Sequence, residues 1–135
     1  MKSYSNENLF LESKSEPVMR KEPTRYSPFV EISESGYIKI SGNSVAIESV
    51  EFYQSLFSAI ESIYSSKVCI SLMLENINAN SIRGLFLLLD KVREQKFIND
   101  IDVFWFFTEE NEDFEKVGEI FQEMFPTINF SIFRI

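Results

Sequence analysis

Residues 67–94 read "KVCISLMLENINANSIRGLFLLLDKVRE", and the fold turns on how this stretch divides. The opening "KVCISLMLENI" (67–77) is nearly continuously apolar with β-branched content, the pattern of a strand covered on both faces. Further on, Ile82, Leu85, Phe86, Leu89 and Val92 recur at helical spacing and predict a helix over about 80–95. The gap "NANS" (78–81) supplies asparagine and serine, whose side chains accept from the free N–H groups of a helix's first turn. Asn78 or Asn80 is therefore the expected cap.

The same alternation continues outward. Downstream, "DIDVFWFFTE" (100–109) reads as a second doubly covered strand. Asn111 is placed to cap a third helix with the stripe Phe114, Val117, Ile120, Phe121 and Met124, and "NFSIFRI" (129–135) closes as a strand. Upstream, "FVEIS" and "YIKIS" alternate apolar and polar residues around the turn "ESG". They predict a hairpin whose second strand ends at Gly42-Asn43. Val50, Phe52, Tyr53, Leu56, Phe57, Ile60, Ile63 and Tyr64 then mark a helix over 48–65, opened by Glu48 or Ser49. A hairpin followed by alternating strands and helices argues for one layered α/β domain over 28–135, with a mixed sheet of about five strands and three main helices. Residues 1–27 are rich in Ser, Glu, Lys and Pro and read as a loosely held arm, in which only "LFLE" (9–12) looks like an edge strand.

Composition removes several functions. The 135 residues carry a formal charge of −8, and 28–135 alone hold eight basic against seventeen acidic side chains. A surface of that sign repels phosphate backbones, so nucleic acid is not an expected partner. No histidine is present, which removes the commonest general base and the usual zinc ligand. Cys69, the single cysteine, reads as a small core residue and cannot form an internal disulfide. No apolar run approaches 18 residues, so no membrane insertion is expected, and the chain reads as cytoplasmic. The sequon Asn129-Phe130-Ser131 falls in an expected strand and is discounted.

Two clusters invite chemistry. The acid run "TEENED" (108–113) could hold Mg²⁺ or do acid–base work, but its carboxylates also complement the positive end of the helix they precede. Trp105 reads as core or as an anchor for a partner, and the helical phenylalanines as core, while an aromatic-lined small-ligand pocket between sheet and helices is the alternative function. Arg83 fits neither reading. It is a cation in the first turn of the second helix, where the dipole disfavours it, unlike Lys91, Arg93 and Lys96 near the other end. A phosphate at that helix start, one turn from an arginine, would meet orphan N–H groups and change the surface a partner sees.

Four segments resemble the SiaC-type regulatory phosphoproteins, small bacterial proteins with a STAS-like fold. "SGNSVAIESVEFYQSL" looks like the family's glycine–x–serine approach to the first helix. "NINANSIRGLFLLLD" is similar to its Asn-Thr-Ser-Ser-x-Lys segment and leucine-rich helix. "DVFWFFTEENEDFEKVGEIF" resembles its tryptophan strand and acidic turn, and "YSPFVEI" adds weaker support. The resemblance implies a non-enzymatic partner-switching module without a cofactor. Its expected partners are a serine/threonine kinase, a PP2C-type phosphatase and a diguanylate cyclase, which the unphosphorylated form binds and activates, linking it to cyclic-di-GMP and biofilm behaviour. Carried over by position, the motif's asparagine is Asn78, its final serine Ser81 and its lysine Arg83. Its first serine falls on Asn80, and its phosphoacceptor threonine falls on Ala79. The family's frequent proline after glycine–x–serine is also missing, with Ala46 in its place. Alanine has no hydroxyl, so the resemblance implies a switch that is absent, moved to Ser81, or trapped unphosphorylated. Asn78, Asn80, Ser81 and Arg83 are the expected partner contacts.

Overall fold

The computed structural model describes residues 17–135. Six strands form one sheet in sequential order: β1 (Pro17–Lys21), β2 (Phe29–Ser33), β3 (Tyr37–Ser44), β4 (Lys67–Ile77), β5 (Asp100–Phe107) and β6 (Asn129–Arg134). The first two pairings are antiparallel, and β3 through β6 run parallel. Four helices connect the parallel strands: α1 (Ser49–Gln54), α2 (Phe57–Glu61), α3 (Ala79–Glu94) and α4 (Glu112–Met124).

The hairpin turns at Gly36, whose φ of +99° suits glycine. A side chain there would also meet the Lys67 carbonyl oxygen at 2.3 Å, so hairpin and β4 close on each other through this residue. The sixth strand, β1, lies inside the stretch expected to be a loose arm and pairs with β2 from Pro17 to Lys21. Its sequence "PVMRK" hides it, because an edge strand tolerates proline and charge that a central strand does not. The strand expected at 9–12 lies outside the described residues.

Sequential strand order has a geometric consequence. Right-handed crossovers that always step in one direction bring every helix to the same side of the sheet. Accordingly Val68, Ile70, Leu72 and Leu74 of β4 are buried beneath the helices, while Cys69 and Ser71 are half-buried and Met73 and Glu75 exposed on the other side. In β5, Ile101, Val103, Trp105 and Phe107 are buried and Phe104 and Phe106 are not fully covered. The expectation that β4 and β5 are covered on both faces is thus corrected. Their continuous apolar runs come from aromatic and aliphatic residues on an open face.

Two further boundaries move. The expected helix over 48–65 breaks into α1 and α2. Ser55 Oγ donates to the Phe52 carbonyl at 2.6 Å, a local bond that competes with helix continuation. Strand β3 does not end at Gly42-Asn43 but runs to Ser44 across a register shift between Gly42 and Asn43. Such a bulge re-aims the following side chains, and it turns Ser44 inward to 1% exposure.

The core lies between sheet and helices. Trp105 stacks on Phe114 with centroids 4.3 Å apart and meets Phe121 edge-on, while Phe86 packs against Phe121 and Phe125. These aromatics pack between the sheet and the helices. The α4 stripe is narrower than its spacing suggests: Phe114, Gly118 and Phe121 are buried, but Ile120 and Met124 are about half exposed.

Candidate functional site

The Asn-rich gap between β4 and α3 is held from three sides. Asn78 is the N-cap in extended backbone, and its Oδ1 accepts from the Ser81 N–H at 2.7 Å. Its Nδ2 donates to the Ala46 carbonyl at 3.2 Å, and Asn80 Nδ2 donates to the Ile47 carbonyl at 3.0 Å. Each asparagine therefore ties the start of α3 to the loop that leads into α1. One caps the helix, and both hold the neighbouring loop.

Ser81 anchors the same corner from beneath. It is fully buried, and its hydroxyl donates to Ser44 Oγ, which is bonded in turn to the Tyr53 hydroxyl at 2.8 Å. Three hydroxyls thus join α3, β3 and α1 in a region without bulk water. Burial pushes the Tyr53 phenol up, against the smaller opposing pull of its bonds to Ser44 and Ser81. Removing the phenol oxygen (Tyr53→Phe) is expected to cost about 1–3 kcal/mol by urea denaturation. Because burial holds the folded phenol neutral, the native protein's stability is full below about pH 10 and falls as pH rises beyond it. A smaller fall in the variant above that pH is the accompanying sign.

The sequence-predicted residues therefore separate into two groups. Asn78 and Ser81 face inward, half-buried and buried respectively. Ala79 and Asn80 are exposed on the first turn of α3, and Arg83 is exposed at the start of its second turn. Among the described residues Arg83 makes no ion pair, whereas Lys91 is bonded to Glu61 and Arg93 to Asp90. The structure adds one residue that sequence reasoning passed over. Ile47, whose carbonyl accepts from Asn80, is 82% exposed, a large apolar side chain in the loop that Asn80 ties to the start of α3. No periodicity singles it out, since it lies in a loop outside either helical stripe.

The other candidates resolve into structural roles. Asn111 occupies the N-cap position of α4, but its side chain does not cap. Its Nδ2 donates to the carbonyls of Leu74 and Glu75 and ties the start of α4 to the end of β4. Glu112, Asp113 and Glu115 sit in the first turn of α4, where they complement its dipole. No grouping of acidic or cysteine side chains suited to a metal ion occurs among the described residues. Cys69 is half-buried rather than sealed in the core, and burial, helped by Asp102, raises its thiol pKa. Asn129, at the start of β6, donates from Nδ2 to Asp102 Oδ1 of β5 at 3.1 Å. No helix among the described residues is long and apolar enough to cross a membrane.

Comparison with known proteins follows the same lines. Residues 21–135 match a family described as SiaC family regulatory phosphoprotein. SiaC from Pseudomonas aeruginosa, solved in complex with the diguanylate cyclase SiaD that it activates, superposes with a TM-score of 0.72 at 18% identity. The match covers 87% of this chain and 99% of that one. A second structure of SiaC of Pseudomonas aeruginosa gives 0.70 at 17% identity over 87% and 98% of the two chains, and apo-SiaC gives 0.64 at 17% over 84% and 96%. No curated protein matches the sequence.

Proposed function

The chain belongs to the SiaC family of regulatory phosphoproteins, and from that membership we propose that it is a non-enzymatic regulator that binds and activates a diguanylate cyclase. The observation that carries this reading is the family match over 21–135, joined to the likeness in fold to a SiaC solved with its cyclase. The corner built by Ile47, Ala79, Asn80 and Arg83 suits the role of contact surface. It offers one exposed apolar anchor, one unpaired cation among the described residues, and a backbone held rigid by two asparagine side chains.

In the family, control comes from a kinase and a PP2C-type phosphatase acting at the start of this helix. Here the acceptor position is Ala79, exposed as the first residue of α3. A hydroxyl at 79 would be presented to a kinase, whereas the Ser81 hydroxyl is engaged with Ser44 in the interior. That difference favours a chain held in the unphosphorylated, cyclase-binding form over one that has moved its acceptor to Ser81.

The test is titration of the protein into a diguanylate cyclase of the same host, following both heat and cyclic-di-GMP formation. Ile47→Asp and Arg83→Glu are each expected to weaken binding about 10- to 100-fold, or about 1.4–2.7 kcal/mol. Ala79→Thr should take up phosphate from the cognate kinase where the native chain does not, and phosphate uptake should abolish activation. Unaltered affinity in both surface variants would remove the corner from the interface. A native chain that neither binds nor activates any host cyclase would refute the function itself.

A further inference from the structure

We infer that the β6 edge of the sheet is a second docking surface, built to receive an extended segment of another protein in which basic and apolar residues alternate. The two edges of the sheet are treated differently. β1 is blunted by Pro17, by Arg20 and Lys21, and by a register shift between Pro17 and Met19, devices that discourage further strand pairing. β6 ends the sheet on the other side with "NFSIFR", six residues without proline or lysine, and no described strand pairs beyond it. Its outer N–H and C=O groups form a ready template for one more strand.

The flanks of that edge specify what would add to it. Register with β5 places Phe130, Ile132 and Arg134 on the helix side and Ser131 and Phe133 on the open side. On the open side Phe133, 43% exposed, stacks with Phe104 and Phe106 at centroid distances of 6.3 and 5.4 Å. An apolar side chain of an added strand would extend this aromatic row. On the helix side Ile132 and Arg134 border a cavity of about 340 Å³ completed by Phe107, Glu109, Glu112 and Glu115. None of these three carboxylates is ion-paired with a described residue. Three acids against one arginine call for cations from the occupant, every second residue along its length.

A second copy fits less well. Two-fold pairing of β6 with itself is antiparallel, which carries the copy's Arg134 to the start of the first strand, away from carboxylates gathered at its end. The occupant is therefore a different chain.

The probe is an eight-residue peptide alternating Lys and Val, titrated into the full chain by calorimetry and by amide resonance shifts. Its controls are a block peptide of the same composition and an alternating Glu-Val peptide. Binding by the alternating Lys-Val peptide at least ten-fold tighter than either control is expected, weakening with salt and with shifts centred on 129–134, Glu112 and Glu115. The double variant Glu112→Gln/Glu115→Gln is expected to bind it at least five-fold more weakly, with a melting temperature lower by no more than about 5 °C from the loss of two charges that complement the α4 dipole. Equal binding of the block peptide, shifts centred on the Arg83 corner, or an unaffected double variant would overturn the proposal. Concentration-dependent β6 shifts in the free protein would assign the edge to a second copy instead. Slow hydrogen exchange of the outward β6 amides in the free monomer would mean that the chain covers its own edge, and either result overturns it too.

Discussion

Trp105→Ala is expected to lower the unfolding free energy by about 3–5 kcal/mol, the range for a large aromatic removed from a filled core. For a domain of this size that corresponds to a melting temperature lower by roughly 10–20 °C. The indole is fully buried and stacked on Phe114, and its Nε1 donates to the Phe114 carbonyl at 2.8 Å. It also occupies space that Gly118 leaves open, since a Cβ at 118 would lie 2.7 Å from Nε1. Alanine at 105 would thus empty a volume bounded by both α4 and β5, with no neighbour able to collapse into it without moving the helix. Trp105→Phe keeps a ring and gives up the N–H, and should cost about 1–2 kcal/mol. Chemical denaturation of the three proteins measures this directly. An alanine variant within about 1 kcal/mol of the native protein would show that the aromatic cluster does not hold α4 to the sheet.

The second large effect is expected at Gly84→Val, and it links the core to the candidate site. Gly84 lies where α3 crosses α1. A Cβ there would sit 2.4 Å from Tyr53 Cδ2 and 3.1 Å from the Ser49 carbonyl oxygen. Tyr53 cannot swing aside, because its ring is wholly buried and its hydroxyl is bonded to Ser44. Overpacking of this kind costs about 3 kcal/mol at the upper end of its usual range, more than replacing a helical glycine restores. The strain has to be relieved by moving α3 away from α1, which pulls on the bonds from Asn78 and Asn80 to the α1 loop. On the proposed reading of the corner, loss of stability should therefore come with weaker cyclase binding, although residue 84 is buried. Stability loss with unchanged affinity would show that the corner keeps its shape without close contact between the helices.

Much of the fold was legible in advance. The order of five strands, the hairpin around Gly36, an asparagine cap at 78 or 80 (the structure selects Asn78) and the helix that follows it all rest on local patterns: period two, period 3.6, and side chains that bond to neighbouring backbone. The same is true of the aromatic core at Trp105, Phe114 and Phe121. The likeness of "NINANSIRGLFLLLD" and its companion segments pointed to the family, and the match over 21–135 shows that family. Misreadings arose where local pattern and global placement part company. Phe104 and Phe106 look like core in a strand's sequence, and Ile120 and Met124 look like core in a helix's, yet all four are reached by water.

Local chemistry thus determined which segments become strands and helices, where α3 begins, and that nothing at 79 can accept phosphate, because each depends on residues within a few positions of one another. Tertiary structure decided which side of the sheet the helices cover, that Ser81 is sealed against Ser44 while Ile47 stands in solvent, and that, among the described residues, one sheet edge is blunted and the other open. These depend on the direction in which the crossovers step and on contacts between residues more than thirty positions apart, such as Ser44 with Ser81. A sequence states its neighbours along the chain, but burial belongs to neighbours in space.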